Sequence, residues 1–195
     1  MKAKTTSILL LLSILIAAYV ISTTQFDYDY ISTVVATIVA GLGIFGVWIQ
    51  LKRDANIKEA EFLMNFNFTF ITTDKLVAME QKLECCRTKG ETLTLEGEER
   101  QQLIDYLVYL ESFAPLVLNK MVRLDVIDDL FGYRYFIAVN NKQVQELELC
   151  PEAQYYRGCF KLYQAWKEYR KRCGLPIPLE ETALDRTQEY KQYVR

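Results

Sequence analysis

Two long apolar stretches near the N-terminus constrain this chain more than any other feature of its sequence. The first, Ser7 to Ser22, contains no charged side chain, and the second, Ile31 to Leu51, extends for 21 residues without one. An α-helix needs roughly 17–25 mostly apolar residues to cross the hydrocarbon core of a bilayer. We therefore predict two transmembrane helices, over about 7–23 and 31–51.

The charges that flank these stretches predict their orientation. Two lysines precede the first stretch, and Lys52 and Arg53 follow the second, whereas the connecting segment, 23–30, has two aspartates and neither lysine nor arginine. Because basic residues favour the cytosolic side of a membrane, we expect a hairpin in the inner (plasma) membrane with both termini in the cytosol. The alternative is that the first stretch is a cleaved signal peptide, which also combines a basic start with a short apolar region.

Small side chains form a stripe along the second stretch. Ala36, Ala40 and Gly43 lie at positions i, i+4 and i+7, and Gly46 follows about one turn later. Small residues allow transmembrane helices to approach each other closely. The stripe has two interpretations: it packs the second helix against the first within one hairpin, or it joins helices of separate copies in a homo-oligomer.

A helical pattern replaces the apolar stretches after Leu51. Apolar residues recur at intervals of three and four, as in Leu63, Phe66 and Phe70, and the alternation typical of strands does not persist in the sequence. We therefore predict an all-α fold, in which an N-terminal two-helix transmembrane hairpin is followed by a cytosolic helical bundle.

The predicted domains are the hairpin, 1–53, the cytosolic bundle, 54–178, and a polar C-terminal tail, 179–195. Within the bundle, the motif Thr72-Thr73-Asp74 predicts a boundary between helices, because such residues favour helix N-termini. One helix is expected over Glu98–Asn119, with a kink at Pro115 near its end.

The absence of histidine excludes several classes of enzyme. Ser-His-Asp triads, Cys-His dyads and mixed Cys/His zinc sites all require it. The five cysteines include no C-x-x-C pair, so neither a redox motif nor a zinc ribbon is indicated. We therefore predict a protein that is not an enzyme, with no catalytic residue, no metal site, no cofactor and no small-molecule substrate.

Basic residues cluster along the last long helix, which is predicted from Pro151 to about Cys173. The candidate patch consists of Arg157, Lys161, Lys167, Arg170, Lys171 and Arg172. The simplest explanation is that cations near a helix C-terminus complement the helix dipole. The alternative is a surface for an anionic partner, either RNA or lipid headgroups.

Several short motifs occur in an order that resembles a known family. They are N-I-K-E-A-E at Asn56–Glu61, the Phe-rich segment Phe62–Phe70, L-V-Y-L-E-S-F at Leu107–Phe113 and D-D-L-F-G-Y-R-Y at Asp128–Tyr135. With the apolar N-terminus and the basic residues that follow it, this layout resembles an uncharacterised bacterial family of small membrane-anchored helical proteins. It is also similar to the membrane accessory proteins of type VI-B CRISPR systems, which work beside an RNA-guided RNase.

The resemblance implies an oligomeric membrane assembly, in the form of a pore, that supports antiphage defence by perturbing the membrane. Its implied partners are the lipid bilayer, further copies of the chain, and an RNA-guided effector or RNA. Some similar proteins carry a divergent HEPN ribonuclease motif. Here Arg157 is followed by Tyr163 where a histidine could stand, so no catalytic residue carries over.

Three functions follow from these observations. The first is a non-enzymatic membrane accessory or effector protein that oligomerises. The second is a membrane-tethered helical module that recruits a protein or RNA. The third is a degenerate HEPN-type RNase, which the missing histidine disfavours.

Overall fold

The computed structural model describes Tyr19 and residues 28–194. The first predicted span, 7–23, lies outside the described residues except for Tyr19. Within the described part the chain is helical and contains no strand, which confirms the all-α class there. The chain divides into two compact units, Met1–Lys58 and Glu59–Arg195.

The first long helix, α1, runs from Tyr28 to Thr72 and contains the second predicted span. Among the described residues it is the one helix that is long and apolar enough to cross a membrane. Every side chain from 35 to 58 is exposed. A helix satisfies its own backbone hydrogen bonds, which is what the bilayer interior requires of a spanning segment. This part of α1 therefore has the properties of a membrane helix.

The second unit begins within α1 and continues through shorter helical elements. They are α2 (Asp74–Lys89), α3 (Glu99–Glu111), α4 (Phe113–Leu118), α5 (Leu124–Ile127), a π-helical turn (Asp128–Gly132), α6 (Tyr133–Val139), α7 (Lys142–Val144), a second π-helical turn (Gln145–Leu149), α8 (Arg157–Cys173), two 3₁₀ turns (Glu180–Thr182 and Leu184–Arg186) and α9 (Gln188–Tyr193).

Several helix ends follow directly from the sequence. α1 ends at Thr72 and α2 begins at Asp74, as predicted from the polar motif at this point. α2 and α8 are followed by Gly90 and Gly174, both with φ of +67°. Glycine is favoured in this left-handed conformation because it has no Cβ to clash with the backbone.

The helix predicted over Glu98–Asn119 is divided in two. α3 ends at Glu111 and α4 begins at Phe113. Because Pro115 has no N–H, it cannot donate a hydrogen bond to the carbonyl of Glu111, four residues earlier. The expected kink is therefore a break, and it lies almost one turn before the proline.

Aromatic side chains form much of the core of the second unit. One cluster, with ring centroids 4.4 to 5.9 Å apart, consists of Phe66, Phe70, Phe113 and Phe131. A second cluster consists of Tyr135, Phe136, Tyr163 and Trp166. Phe66 is partly buried and the other seven rings are fully buried. Buried aromatic rings remove large apolar areas from water, so these two clusters supply much of the driving force for folding.

Residues 179–194, expected as a polar tail, pack against the bundle. Leu184 is fully buried, and its N–H donates to Oδ1 of Asn140 at 3.0 Å. The Nδ2 of the same asparagine donates to the carbonyl of Pro178 at 2.8 Å. One buried amide side chain thus holds the C-terminal segment at Leu184 and at Pro178, the residue immediately before the segment.

Candidate anion-binding groove

The six basic residues of the predicted patch do not share one surface. They all lie on α8, but Arg157 and Arg172 are about 22 Å apart along its axis. Lys167 and Arg170 are each only 9% exposed, whereas the other four side chains are exposed. The apolar face of α8 packs into the core, so the rotation of each residue around the helix decides whether it reaches water.

Arg170 belongs to a buried hydrogen-bond network. Its Nε donates to Oδ1 of Asp128 at 2.6 Å, and its Nη1 donates to the carbonyl of Pro176 at 2.7 Å. Nε1 of Trp166 donates to the same Asp128 oxygen at 2.6 Å. A Cβ at Gly132 would approach that oxygen to 2.5 Å. Asp128 therefore neutralises the charge of Arg170 inside the bundle. The close packing of this pair requires glycine at position 132, because any Cβ there would clash with the Asp128 carboxylate.

Lys167 is also turned inward. Its Nζ lies 2.5 Å from Oδ2 of Asp185, in the C-terminal segment, and 5.6 Å from the ring centroid of Tyr163. This pair joins α8 to one of the 3₁₀ turns. Lys167 and Arg170 thus hold parts of the fold together, and the exposed patch on α8 is limited to Arg157, Lys161, Lys171 and Arg172, with these last two near the C-terminus.

A groove of about 540 Å³ lies between the C-terminal end of α8 and the segment that follows α4. This volume falls within the range of small-molecule sites. Its charged and aromatic lining consists of Lys120, Arg123, Asp125, Tyr169 and Arg172, and its remaining lining is apolar. The groove brings one residue of the predicted patch, Arg172, together with two cations from a distant loop.

The charges in the groove are not balanced. Arg123 pairs with Asp125 through two hydrogen bonds, of 3.1 Å from Nε and 2.7 Å from Nη2, and this pairing lowers the pKa of the Asp125 carboxyl. Lys120 and Arg172 form no ion pair within the described part of the chain. The guanidinium of Arg172 lies 5.9 Å from the ring centroid of Tyr169. Two positive charges thus remain available to an anion.

The backbone at Lys120 is unusual for a residue with a side chain, because its φ is +56°. After α4, the N–H of Met121 donates to the carbonyl of Leu116 at 2.8 Å, and the N–H of Lys120 donates to that of Val117 at 3.0 Å. This pair of bonds defines a Schellman motif, whose left-handed residue is usually glycine. Gly174 holds the same place after α8. Lysine at this position is locally unfavourable by about 1 kcal/mol.

No family model, curated protein or solved structure matches this chain significantly. The chemistry of the groove therefore has to be derived from its own residues and from its place in the chain.

Three of the cysteines have surroundings that suppress thiol reactivity. Burial raises the pKa of the thiols of Cys86 and Cys159, and it raises that of Cys150 to about 12. Since the thiolate is the reactive form, these thiols are weak nucleophiles at neutral pH. In the part of the chain that the structure describes, no group of three or more cysteine, aspartate or glutamate residues is arranged to hold a metal ion.

The small residues of the predicted stripe, Ala36, Ala40, Gly43 and Gly46, all lie exposed on α1. A Cβ added at Gly43 or Gly46 would meet no atom within 4 Å. The described part of the chain therefore leaves this side of the helix open to another helix.

Sequence reasoning missed Lys120 and Arg123 as functional candidates. They are isolated cations in a short loop, 52 and 49 residues before Arg172, so spacing gives no sign that they meet it. The one local signal at Lys120 is its place two residues after the end of α4, where glycine or asparagine is usual. A lysine there is informative only once the helix end is known.

Proposed function

We propose that this chain is a non-enzymatic membrane effector that assembles into homo-oligomers through α1. The observation that carries the proposal is that α1 keeps apolar side chains exposed both in the described part of the predicted span and beyond it. In the span, lipid and neighbouring helices would cover them. Beyond the span, they need a partner in water, because exposed apolar patches on soluble surfaces mark interaction sites.

The exposed apolar side chains beyond the span follow a regular pattern. Met64, Phe68 and Ile71 are 66%, 63% and 51% exposed, while Leu63 and Phe70 on the same helix are buried in the bundle. Met64 and Ile71 are seven residues apart, and earlier positions at the same seven-residue interval are Ile57, Gly43 and Ala36, interrupted once by the polar Gln50. A seven-residue repeat of apolar or small side chains lets two helices pack along one seam. This register supports assembly between copies of the chain.

The membrane arrangement that we propose is a hairpin with both termini and the bundle in the cytosol, in the inner membrane. It is supported by the basic residues outside the two apolar stretches and the acidic residues between them. The exposed thiol of Cys173 tests it. In a chain whose other four cysteines are replaced, a membrane-impermeant maleimide should label Cys173 only after cells are permeabilised, and the same chain with Cys173→Ser should not be labelled. Labelling of Cys173 in intact cells would place the bundle outside.

We also propose that the assembly perturbs the membrane as a pore and serves antiphage defence beside an RNA-guided RNase. The resemblance of the sequence motifs is the support for this part of the proposal. It predicts dye leakage from vesicles that contain the assembled protein. It also predicts that a gene for an RNA-guided effector lies beside the gene for this chain. Intact vesicles at a protein density that gives full assembly would argue against a pore.

The mass of the purified chain in mild detergent tests the assembly. The wild-type chain should have the mass of a homo-oligomer, and Gly43→Leu should reduce it. Gly41→Leu is the matched control, since Gly41 lies about 160° from Gly43 around the helix. A Cβ at either glycine meets no atom within 4 Å, so a difference between the variants must come from another helix. A monomeric wild-type chain would overturn the proposal.

A membrane-tethered module that recruits RNA is the second candidate, and the two unpaired cations of the groove favour it. It predicts RNA binding that weakens steeply with salt and on loss of Arg172. The inward pairing of Lys167 and Arg170 leaves this candidate with four of the six cations that the sequence suggested.

A further inference from the structure

We infer that the groove lined by Lys120, Arg123, Tyr169 and Arg172 binds the phosphate headgroup of an anionic phospholipid. Such binding would hold the bundle against the surface of the membrane that contains α1. The inference rests on the proposed insertion of α1 into a bilayer, and it adds a second, specific contact with lipid outside the membrane-spanning segment.

One residue of the groove is held to the first residue of the second unit. The backbone N–H of Arg123 donates to Oε1 of Glu59 at 2.7 Å. Glu59 follows Lys52, the first residue after the span, by seven residues. Seven residues extend over at most about 25 Å. The covalent chain therefore keeps Arg123 within reach of the headgroup layer for any arrangement of the two units.

The lining suits a lipid phosphate. Lys120 and Arg172 carry uncompensated charges, and a guanidinium can donate two parallel hydrogen bonds to phosphate oxygens. Leu118 and Met121, on either side of Lys120 in sequence, are 42% and 68% exposed. A free phosphate would leave these apolar side chains in water, whereas a phospholipid also offers apolar chains for them to contact. This combination favours the lipid over a soluble anion.

The backbone of Lys120 gives independent support. A lysine occupies a left-handed position that the equivalent turn after α8 fills with Gly174. Lys120 and Leu179 are the two non-glycine residues with positive φ in the described part of the chain, and of these Lys120 lines the groove. Here the turn places a cation at the groove, beside two exposed apolar residues.

The test measures retention of phosphatidylglycerol by the full chain in mild detergent, using native mass spectrometry, with phosphatidylcholine as the neutral comparison. The wild-type chain should prefer phosphatidylglycerol. The double variant Lys120→Gln with Arg172→Gln should weaken that binding at least tenfold, since each cation contributes about 1 kcal/mol near a lipid surface. The matched control, Arg157→Gln with Lys161→Gln, removes the same charges from the other end of α8 and should bind like the wild type.

A second variant distinguishes loss of lipid binding from loss of folding. Lys120→Gly places the favoured residue in the left-handed position, so its thermal unfolding midpoint should equal or exceed that of the wild type. Its phosphatidylglycerol binding should nevertheless fall about fivefold. Unchanged binding in this variant would contradict a role for the Lys120 side chain, whatever its effect on stability.

Other outcomes would overturn the lipid assignment in distinct ways. Equal retention of both lipids, or equal loss in both double variants, would remove the specific site. Full competition by glycerol phosphate would show that a free phosphate is the ligand, and displacement of lipid by a short single-stranded RNA would show that RNA is. Membrane association is measured on the cells from which the chain is purified, and oligomer mass is measured on the purified chain in detergent. A wild-type chain that fails to associate with membranes would therefore refute the proposed function as well.

Discussion

Between 35 and 51, α1 is exposed on all sides and almost entirely apolar, whereas between 59 and 72 it has two apolar faces with different environments. On one face Leu63 and Phe70 are buried in the bundle. On the other, Met64, Phe68 and Ile71 remain exposed. The same helix thus combines a segment suited to lipid, a face that folds with its own chain, and a face still open to a partner.

This difference shows that exposed apolar residues require different explanations in the two segments. In the predicted span, apolar side chains lie all around the helix, which is the pattern expected of a segment in lipid. In the bundle segment, the three most exposed large apolar side chains, Met64, Phe68 and Ile71, share one side of the helix, and the seven-residue spacing of Met64 and Ile71 is the one expected for a helical partner. Substitutions in each segment and on each face should therefore affect different properties.

The largest effect is expected from Phe70→Ala, which removes a fully buried ring from the core. The ring centroids of Phe70 and Tyr106 are 5.7 Å apart, and the guanidinium of Arg134 lies 4.5 Å from the ring centroid of Phe70. Loss of the ring should lower the free energy of unfolding by about 4 kcal/mol, measured by chemical denaturation of the full chain in detergent.

Phe68→Ala is the matched control, two residues away on the exposed face. It should change the free energy of unfolding by less than about 1 kcal/mol, as expected of a surface site, but it should reduce the mass of the assembly. If both variants destabilised the chain equally, the two faces of this segment would not differ as described.

A slightly smaller effect is expected from Asp128→Ala, which leaves Arg170 buried without its carboxylate. Removing one partner of a buried ion pair costs about 3 kcal/mol or more, because the remaining charge is uncompensated. Asp129→Ala is its control, since Asp129 is exposed and adjacent in sequence. Unfolding in denaturant distinguishes the two, and similar midpoints would show that the Asp128–Arg170 pair is not buried.

The smallest effect concerns pH and the carboxyl of Glu111, which accepts hydrogen bonds from the N–H groups of Gly158 and Cys159 at the start of α8. Burial raises the pKa of this carboxyl above its ordinary 4.5, although the two hydrogen bonds oppose the shift. As pH rises above 4.5, the unfolded chain loses this proton before the folded chain does, so folding stability falls.

Glu111→Gln removes this titration and keeps a side-chain oxygen that can accept from Gly158. The stability of the variant relative to the wild type should increase as pH rises through this window and then level off. Denaturation at a series of pH values measures the difference. A stability difference that declines with rising pH would mean that the pKa of Glu111 is lowered by folding.

The sequence pattern predicted much of the fold, because the helices are marked by local signals. Apolar spacing of three and four identifies the helices, and Gly90 and Gly174 mark two of their ends. The break at Glu111 was placed too late, since a proline interrupts the hydrogen bond to a carbonyl four residues earlier. The contacts of segment 179–194 were not predictable, because they depend on Asn140, about 40 residues away.

The groove was less predictable than the fold. On α8, Arg170 lies four residues after Trp166 and seven after Tyr163, so its inward direction could be derived from helical spacing. Its partner, Asp128, is 42 residues away, and no local pattern identifies it. Lys120 and Arg172 line the same groove only because α4 packs beside α8, which is a property of the tertiary structure.

One measurement compares the two segments of α1 directly. Ile44→Cys and Asn65→Cys are placed singly in a chain whose five native cysteines have been replaced, and a water-soluble maleimide is added to open membrane vesicles. Both positions are exposed in the single chain, Ile44 by 73%, and they are separated by three seven-residue intervals. We expect rapid labelling of Asn65→Cys and no labelling of Ile44→Cys until the protein is denatured, because the thiolate does not form in hydrocarbon. Equal labelling of the two positions in these vesicles before denaturation would contradict the assignment of this part of α1 to the bilayer.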